Sequence, residues 1–305
     1  MASHETDSKP TEPVGLIKGI QNDLLALTKA RLSVLVVYTA VFGYFVATKT
    51  SGTFSWLILW HTLVGTILAA FGASVFNQLM EVDTDKLMSR TSDRPLPSNR
   101  MPKPLAFILG WLLSAFGLIH LGVMVNVMAA AMGAATLITY LFIYTPMKRV
   151  STFNTVVGAV SGALPPLIGW AGGGGALLSF GALFLFLLLF LWQMPHFAAI
   201  NWMYREEYSK GGFKMWSNND DSGAKTAKIA VFFSLLIVLF GILFPLLTPV
   251  LAIWGALPCG IPGVVMLLLA LKFQRSGSRE DARRLFFYTL LYLPLMMVFA
   301  YLAWL

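Results

Sequence analysis

In this chain of 305 residues, 57% are apolar and only 12% charged, and the mean hydropathy is +0.72. A water-soluble protein carries about a quarter of its residues charged, so this composition excludes an ordinary soluble fold. The net charge of +8 sits in short tracts between long uncharged runs, which membrane topology explains without nucleic acid. The one cysteine, Cys259, leaves no internal disulfide and no thiolate metal site.

Residues 1–31 contain Glu5, Asp7, Glu12 and Asp23 and lack the apolar core of a signal peptide, so they read as a cytoplasmic tail. Apolar runs that can cross a hydrocarbon layer about 30 Å thick follow near 32–48, 54–80, 104–122, 124–144, 155–173, 174–198, 228–247, 250–271 and 285–304. They predict an all-α polytopic bundle of nine transmembrane helices, because backbone in lipid must satisfy its own hydrogen bonds. Residues 32–305 read as a single domain. With the spans alternating in direction, every Lys and Arg except Lys49, and every acidic residue, falls on one side. The positive-inside rule makes that side cytoplasmic, with the C-terminus on the outer, periplasmic side of a cell (inner) membrane.

The loop after the second span begins inside the helix. If that helix runs on to residue 85, Asn77, Glu81 and Asp85 recur every four residues and share one face. Asp83 points elsewhere. Acids crowded at a helix end beside lipid repel one another unless a cation joins them, and an all-oxygen set suits Mg²⁺. The bland alternative is a solvated loop whose acids pair with Arg90 and Arg94.

After the fourth span come Lys148 and Arg149, either anion contacts or membrane anchors, and Lys29 and Arg31 before the first span are comparable. The fifth span carries Gly158 and Gly162 as a small-residue face, then Pro165 and Pro166, which predict a bend bordering a cavity. After the sixth span, Pro195 kinks the helix end beside His196, which lies near Gln193 and Asn201. His196 is either structural or a contact to a ring substrate. Of Glu206 and Glu207, one can face inward to make a second cation site, and the pattern leaves open which. His61 and His120 stand singly in apolar spans and read as packing residues.

Together, Asn77, Glu81, Asp83 and Asp85 with Arg90, Thr91, Arg94, Pro95 and Leu96 resemble the first motif of the protohaem IX farnesyltransferases. These form a branch of the UbiA superfamily of intramembrane prenyltransferases. Also similar are Thr28, Lys29 and Arg31; Tyr144, Thr145, Lys148 and Arg149; Gly162, Pro165, Pro166 and Trp170; Trp192, Met194, Pro195, His196 and Phe197; and Arg205, Glu207 and Tyr208. The chain departs from the superfamily pattern at Gln78, where an acid is usual, and at Glu81, which replaces Asp. Glu207 stands where the branch has Asp.

The resemblance implies transfer of a farnesyl group from farnesyl diphosphate to a vinyl group of protohaem, with addition of water. It assigns Mg²⁺ to Asn77, Glu81, Asp85 and Glu207, and diphosphate contacts to Arg90, Arg94, Lys148 and Arg149. Catalysis falls to Asn77, Glu81, Asp85 and His196, and acceptor contacts to Lys29, Arg31, His196 and Arg205. Expected partners are the two substrates, the lipid bilayer, and a haem A synthase or cytochrome oxidase assembly factors. The rival acceptors are a hydroxybenzoate or a naphthoate. A transporter, the rival from another class, would place its ionisable groups near the bilayer midplane.

Overall fold

The computed structural model describes residues 13–305, with side chains from residue 18 onward. His4, Glu5, Asp7 and Glu12 of the tail lie outside the described residues. Among the described residues, nine helical stretches are long and apolar enough to cross a membrane. A tail helix, α1 (Pro13–Leu27), precedes the crossings α2 (Ala30–Ser51), α3 (Trp56–Asp85) and α4 (Lys103–Met124). The fourth crossing is composite: α5 (Val127–Ile138), a π-helical stretch (Thr139–Tyr144) and the single turn α6 (Thr145–Met147). The fifth is α7 (Asn154–Ala163) with α8 (Pro165–Gly172), and the sixth is α9 (Phe180–Met203). A short helix, α10 (Arg205–Lys210), leads to α11 (Ala224–Leu247), α12 (Ala256–Ser276) and α13 (Arg279–Ala303).

Local chemistry sets these ends. Ser55, Asn126, Ser179 and Ser278 each cap a helix by accepting a backbone N–H with the side chain. The fifth crossing is interrupted at Leu164, where Pro165 and Pro166 bring no N–H to continue the ladder. There α8 crosses α2 backbone against backbone: a Cβ on Gly169 would overlap the Ala40 carbonyl, and one on Gly43 the Pro166 carbonyl. Gly158 and Gly162 likewise admit the Tyr144 ring and the Gln193 amide.

The largest apolar core lies among α2, α8, α9, α11, α12 and α13. His61 and His120, read from the sequence as isolated, face each other across α3 and α4, with Nδ1 of one 3.1 Å from Nε2 of the other. The helices run antiparallel, which brings residues far apart in sequence to one level and cross-links them in lipid.

The loops at the charged end are tied into one cap. Lys214 N–H donates to the Lys148 carbonyl (2.7 Å), and Asn154 Nδ2 donates to the Lys214 carbonyl (2.6 Å). Met88, Phe213 and Met215 cluster beneath these bonds.

Candidate active site

The helix of the second crossing does continue to Asp85, and its turn places Asn77, Glu81 and Asp85 on the wall of one cavity of about 210 Å³. Asp83 is exposed on the other side. Four basic side chains, Lys29, Arg90, Arg94 and Lys148, share the cavity with the two carboxylates, and burial together with the nearby Arg94 pulls the Lys29 ammonium pKa down to about 7. Each polar group of the α3 face meets one of them. Lys29 Nζ donates to Asn77 Oδ1 (2.5 Å), Lys148 Nζ to Glu81 Oε1 (2.7 Å), and Arg94 Nη1 to Asp85 Oδ2 (2.7 Å). Burial alone would discharge Lys148, but the Glu81 carboxylate outweighs it and holds the ammonium pKa above its ordinary value.

Backbone geometry aims these groups. Lys29, the residue before α2, sits in the left-handed region at φ 48°, a conformation that a non-glycine residue keeps only when its surroundings fix it. Gln78, in the position of the missing acid, donates to the carbonyls of Ala26 and Leu27 at 2.8 and 3.0 Å, closing the end of α1 onto α3. The wider π turn brings Tyr140 and Tyr144 onto the cavity wall beside Lys148, and the Tyr140 carbonyl accepts both the Thr145 backbone N–H and the Thr145 hydroxyl, the latter at 2.8 Å. No compositional cue in the sequence marks that stretch. The Lys148 ammonium lies 4.5 Å from the centre of the Tyr144 ring and 5.6 Å from that of Phe213. Asn201, 5% exposed, also lines the cavity, and its Nδ2 has no partner among the described residues.

Several expected site residues lie elsewhere. Glu207 does not enter the cavity: it accepts from the Ser89 N–H (2.8 Å) and hydroxyl (2.9 Å), strapping α10 to the loop after α3. The Ser89 hydroxyl holds the Glu207 carboxyl below the ordinary range. Glu206 faces solvent, with Arg205 at 3.7 Å, so neither acid of that pair completes a second inward site. The short helix α10 carries both acids outside the cavity wall. Arg149 reaches back along α3 to Thr84 Oγ1 (2.5 Å), away from the cavity, because the next residue after Lys148 falls on the opposite side of the chain. Arg31 is exposed on α2. Arg205 lies over Trp202, 4.2 Å from the ring centre. His196 turns from the cavity to α13, with Nδ1 2.8 Å from Thr289 Oγ1, while its neighbours Phe197, Ile200 and Asn201 face inward. Arg90 spans both regions, its guanidinium 5.1 Å from the Tyr204 ring centre.

The donor set can be tested against a metal ion. Glu81, Asp85 and the Asn77 amide oxygen are hard oxygen donors at one-turn spacing, which fits one Mg²⁺ that keeps waters and shares substrate phosphate oxygens. No group of three or more His, Cys, Asp or Glu side chains able to hold an ion by themselves occurs among the described residues.

The profile of the UbiA prenyltransferase family matches residues 36–292. A protohaem IX farnesyltransferase of Opitutus terrae is 39% identical over 277 residues, covering 90% of this chain and 92% of that protein. A solved digeranylgeranylglyceryl phosphate synthase superposes with a TM-score of 0.76 at 15% identity, covering 93% of this chain and 98% of that one. A UbiA homologue of Archaeoglobus fulgidus, solved with GPP and Mg²⁺, gives 0.65 at 13%, covering 91% and 99%. At such identities the superpositions establish the fold, and the sequence matches establish the lineage. The chain is an all-α, membrane-spanning member of the UbiA prenyltransferase family, homologous to the protohaem IX farnesyltransferases.

Proposed function

We propose that the chain transfers the farnesyl group of farnesyl diphosphate to a vinyl group of protohaem IX, with addition of water, giving haem O and diphosphate. The observation that carries the diphosphate half is the single cavity where Asn77, Glu81 and Asp85 meet four basic side chains. The surplus of positive charge suits a polyanion, and the unpaired Asn201 amide offers it a further donor. The acceptor half rests on the homology to protohaem farnesyltransferases over 90% of the chain.

In this reading Glu81, Asp85 and Asn77 would hold one Mg²⁺, which would supply charge neutralisation for the leaving diphosphate. Lys29, Lys148, Arg90 and Arg94 bind the phosphate oxygens, and Lys148 and Arg94 exchange their carboxylate partners for phosphate as substrate enters. The allylic C–O bond breaks with its electron pair leaving on diphosphate. The vinyl π electrons of protohaem form the new C–C bond. Water then adds its oxygen to the resulting benzylic-type cation and loses a proton. Tyr140, Tyr144, Phe197 and Phe213 line the cavity; their rings stabilise an allylic cation and keep water from it before the acceptor reacts. The charged end of the bundle faces the cytoplasm by the positive-inside rule.

The test is a mass-spectrometric assay of the purified protein in lipid, with farnesyl diphosphate and Mg²⁺ and with protohaem, 4-hydroxybenzoate and a naphthoate offered together. The expected outcome is metal-dependent farnesylation of protohaem alone. Prenylation of an aromatic acid with protohaem untouched would overturn the acceptor assignment.

A further inference from the structure

Gln78 is fully buried on α3 but does not line the cavity. It stands one residue past Asn77, about 100° further round the helix. Asn77 therefore faces the cavity while Gln78 faces the end of α1. Its Nε2 donates to the carbonyls of Ala26 (2.8 Å) and Leu27 (3.0 Å), and Oε1 is sealed without a partner. Two carbonyl oxygens can meet only the N–H side of the amide, which fixes its orientation. An ionised carboxylate, which donates nothing, could not take this place.

These two bonds finish a helix that little else holds. The path from α1 to α2 turns at Lys29, through its left-handed backbone at φ 48°. The last carbonyls of a helix lack partners within it, and no other donor among the described residues reaches the Leu27 carbonyl. Of the α1 side chains described, only Leu27 is buried, against Val75, Val82, Leu96 and Ala106. The Asp23–Arg100 pair (3.0 Å) is partly exposed, and surface pairs of that kind contribute little. Gln78 thus acts as the C-terminal cap of α1, supplied from another helix.

The capped end of α1 leads directly into the cavity. Lys29 follows two residues after Leu27, and its Nζ donates to Asn77 Oδ1 (2.5 Å). Adjacent side chains of α3 thus hold the α1–α2 junction at two points, Gln78 through the backbone and Asn77 through the Lys29 side chain. Only one of these ties can persist in the loaded site. There Asn77 Oδ1 is needed for Mg²⁺ and Lys29 for phosphate, so their mutual bond is given up. Gln78 is then left to keep the junction against α3.

Resting on the diphosphate reading above, we propose that Gln78 is a positioning residue for Lys29: by capping α1 from α3 it fixes where the Lys29 side chain meets the substrate's diphosphate. It touches no substrate atom itself. The amide standing where the superfamily usually has an acid then serves to dock α1.

The experiment is a double-mutant cycle on the full-length protein in nanodiscs of zwitterionic lipid, reading the affinity for inorganic diphosphate with Mg²⁺ by calorimetry. Gln78→Leu, Gln78→Glu and Lys29→Met are each expected to weaken binding about tenfold. Because Gln78 acts through Lys29, the double variant Gln78→Leu/Lys29→Met should bind no more weakly than Lys29→Met alone. Losses that multiply to about a hundredfold, or unchanged affinity in both Gln78 variants, would overturn the proposal and leave the diphosphate cavity standing. Unchanged affinity in Lys29→Met would remove Lys29 from the phosphate contacts and the proposal with it. No diphosphate binding by the wild type would instead sink the cavity's function. A measurement without variants guards against misfolding. In the wild type the Thr28 and Lys29 amides bond to the Leu24 and Ala26 carbonyls at 3.0 and 3.3 Å. Their hydrogen exchange is expected to stay slow with Mg²⁺ and diphosphate bound; faster exchange on binding would mean that the cap lets go, and would overturn the proposal.

Discussion

The pairing of Glu81 with Lys148 supplies a decisive perturbation. The two side chains are 6% and 11% exposed and 2.7 Å apart. Glu81→Gln leaves the Lys148 ammonium buried without its counter-charge, and breaking such a pair costs about 3–5 kcal/mol. Replacing both partners, in Glu81→Gln/Lys148→Met, removes the stranded charge and is expected to restore most of that stability. Activity should behave differently. If Glu81 binds the metal that neutralises the leaving group, its loss removes about 3 kcal/mol of transition-state stabilisation, or about a hundredfold in rate. The double variant cannot recover this, because it also lacks a phosphate contact. The assay pairs thermal unfolding in nanodiscs with Mg²⁺-dependent diphosphate release on one preparation. Stability restored with activity still at least a hundredfold down supports the account. Activity restored along with stability would refute it and reduce Glu81 to a structural partner of Lys148.

Three further outcomes are expected. Because Glu207 is tied to Ser89, a Mn²⁺ titration read by electron paramagnetic resonance, with a non-hydrolysable farnesyl diphosphate analogue present, should count one ion per chain. Glu207→Gln should keep that ion, and a second ion lost in the variant would restore Glu207 as a ligand. Gly169→Ala should lower stability by about 1–3 kcal/mol, since the added methyl must part α8 from the Ala40 backbone; an unchanged melting temperature would contradict that contact. Burial disfavours a charge on Asp220, yet the Thr226 N–H and hydroxyl, both at 2.8 Å, hold its carboxyl below the ordinary range. Its contribution is therefore full at neutral pH and lost as pH falls below about 4. Asp220→Asn should flatten acid destabilisation in that window, and identical pH profiles would contradict the assignment.

The crossings were legible because hydrocarbon thickness imposes one length on every apolar run, and the break at Pro165 because proline lacks an N–H. The α3 face of the cavity was legible for a similar reason: four-residue spacing fixes Asn77, Glu81 and Asp85 on one side of a helix. Of the partners that meet that face, only the pairing of Arg94 with an acid was foreseen. Lys29, Lys148 and Arg94 arrive from three different segments, and only packing decides that each takes a polar group of α3. Glu207 and Arg149 were misplaced because their neighbours in sequence, on a short helix and at a helix end, face the opposite way. His196 was expected beside Gln193 and Asn201; spacing along α9 puts it about 60° from Gln193 and about 140° from Asn201 around the helix, and packing turns it to Thr289 of α13. The π stretch at Thr139–Tyr144 has no signature in composition, yet it sets where Tyr140 and Tyr144 stand. The facing of His61 and His120 needed the antiparallel register of α3 and α4, which hydropathy does not encode.

The most direct test of the central claim is the product itself, made from protohaem, farnesyl diphosphate and Mg²⁺ in water enriched in heavy oxygen and analysed by mass spectrometry. The account predicts protohaem carrying one farnesyl group and one hydroxyl whose oxygen comes from the labelled water. Farnesylated product without the label, or protohaem recovered unchanged while diphosphate is released, would contradict it.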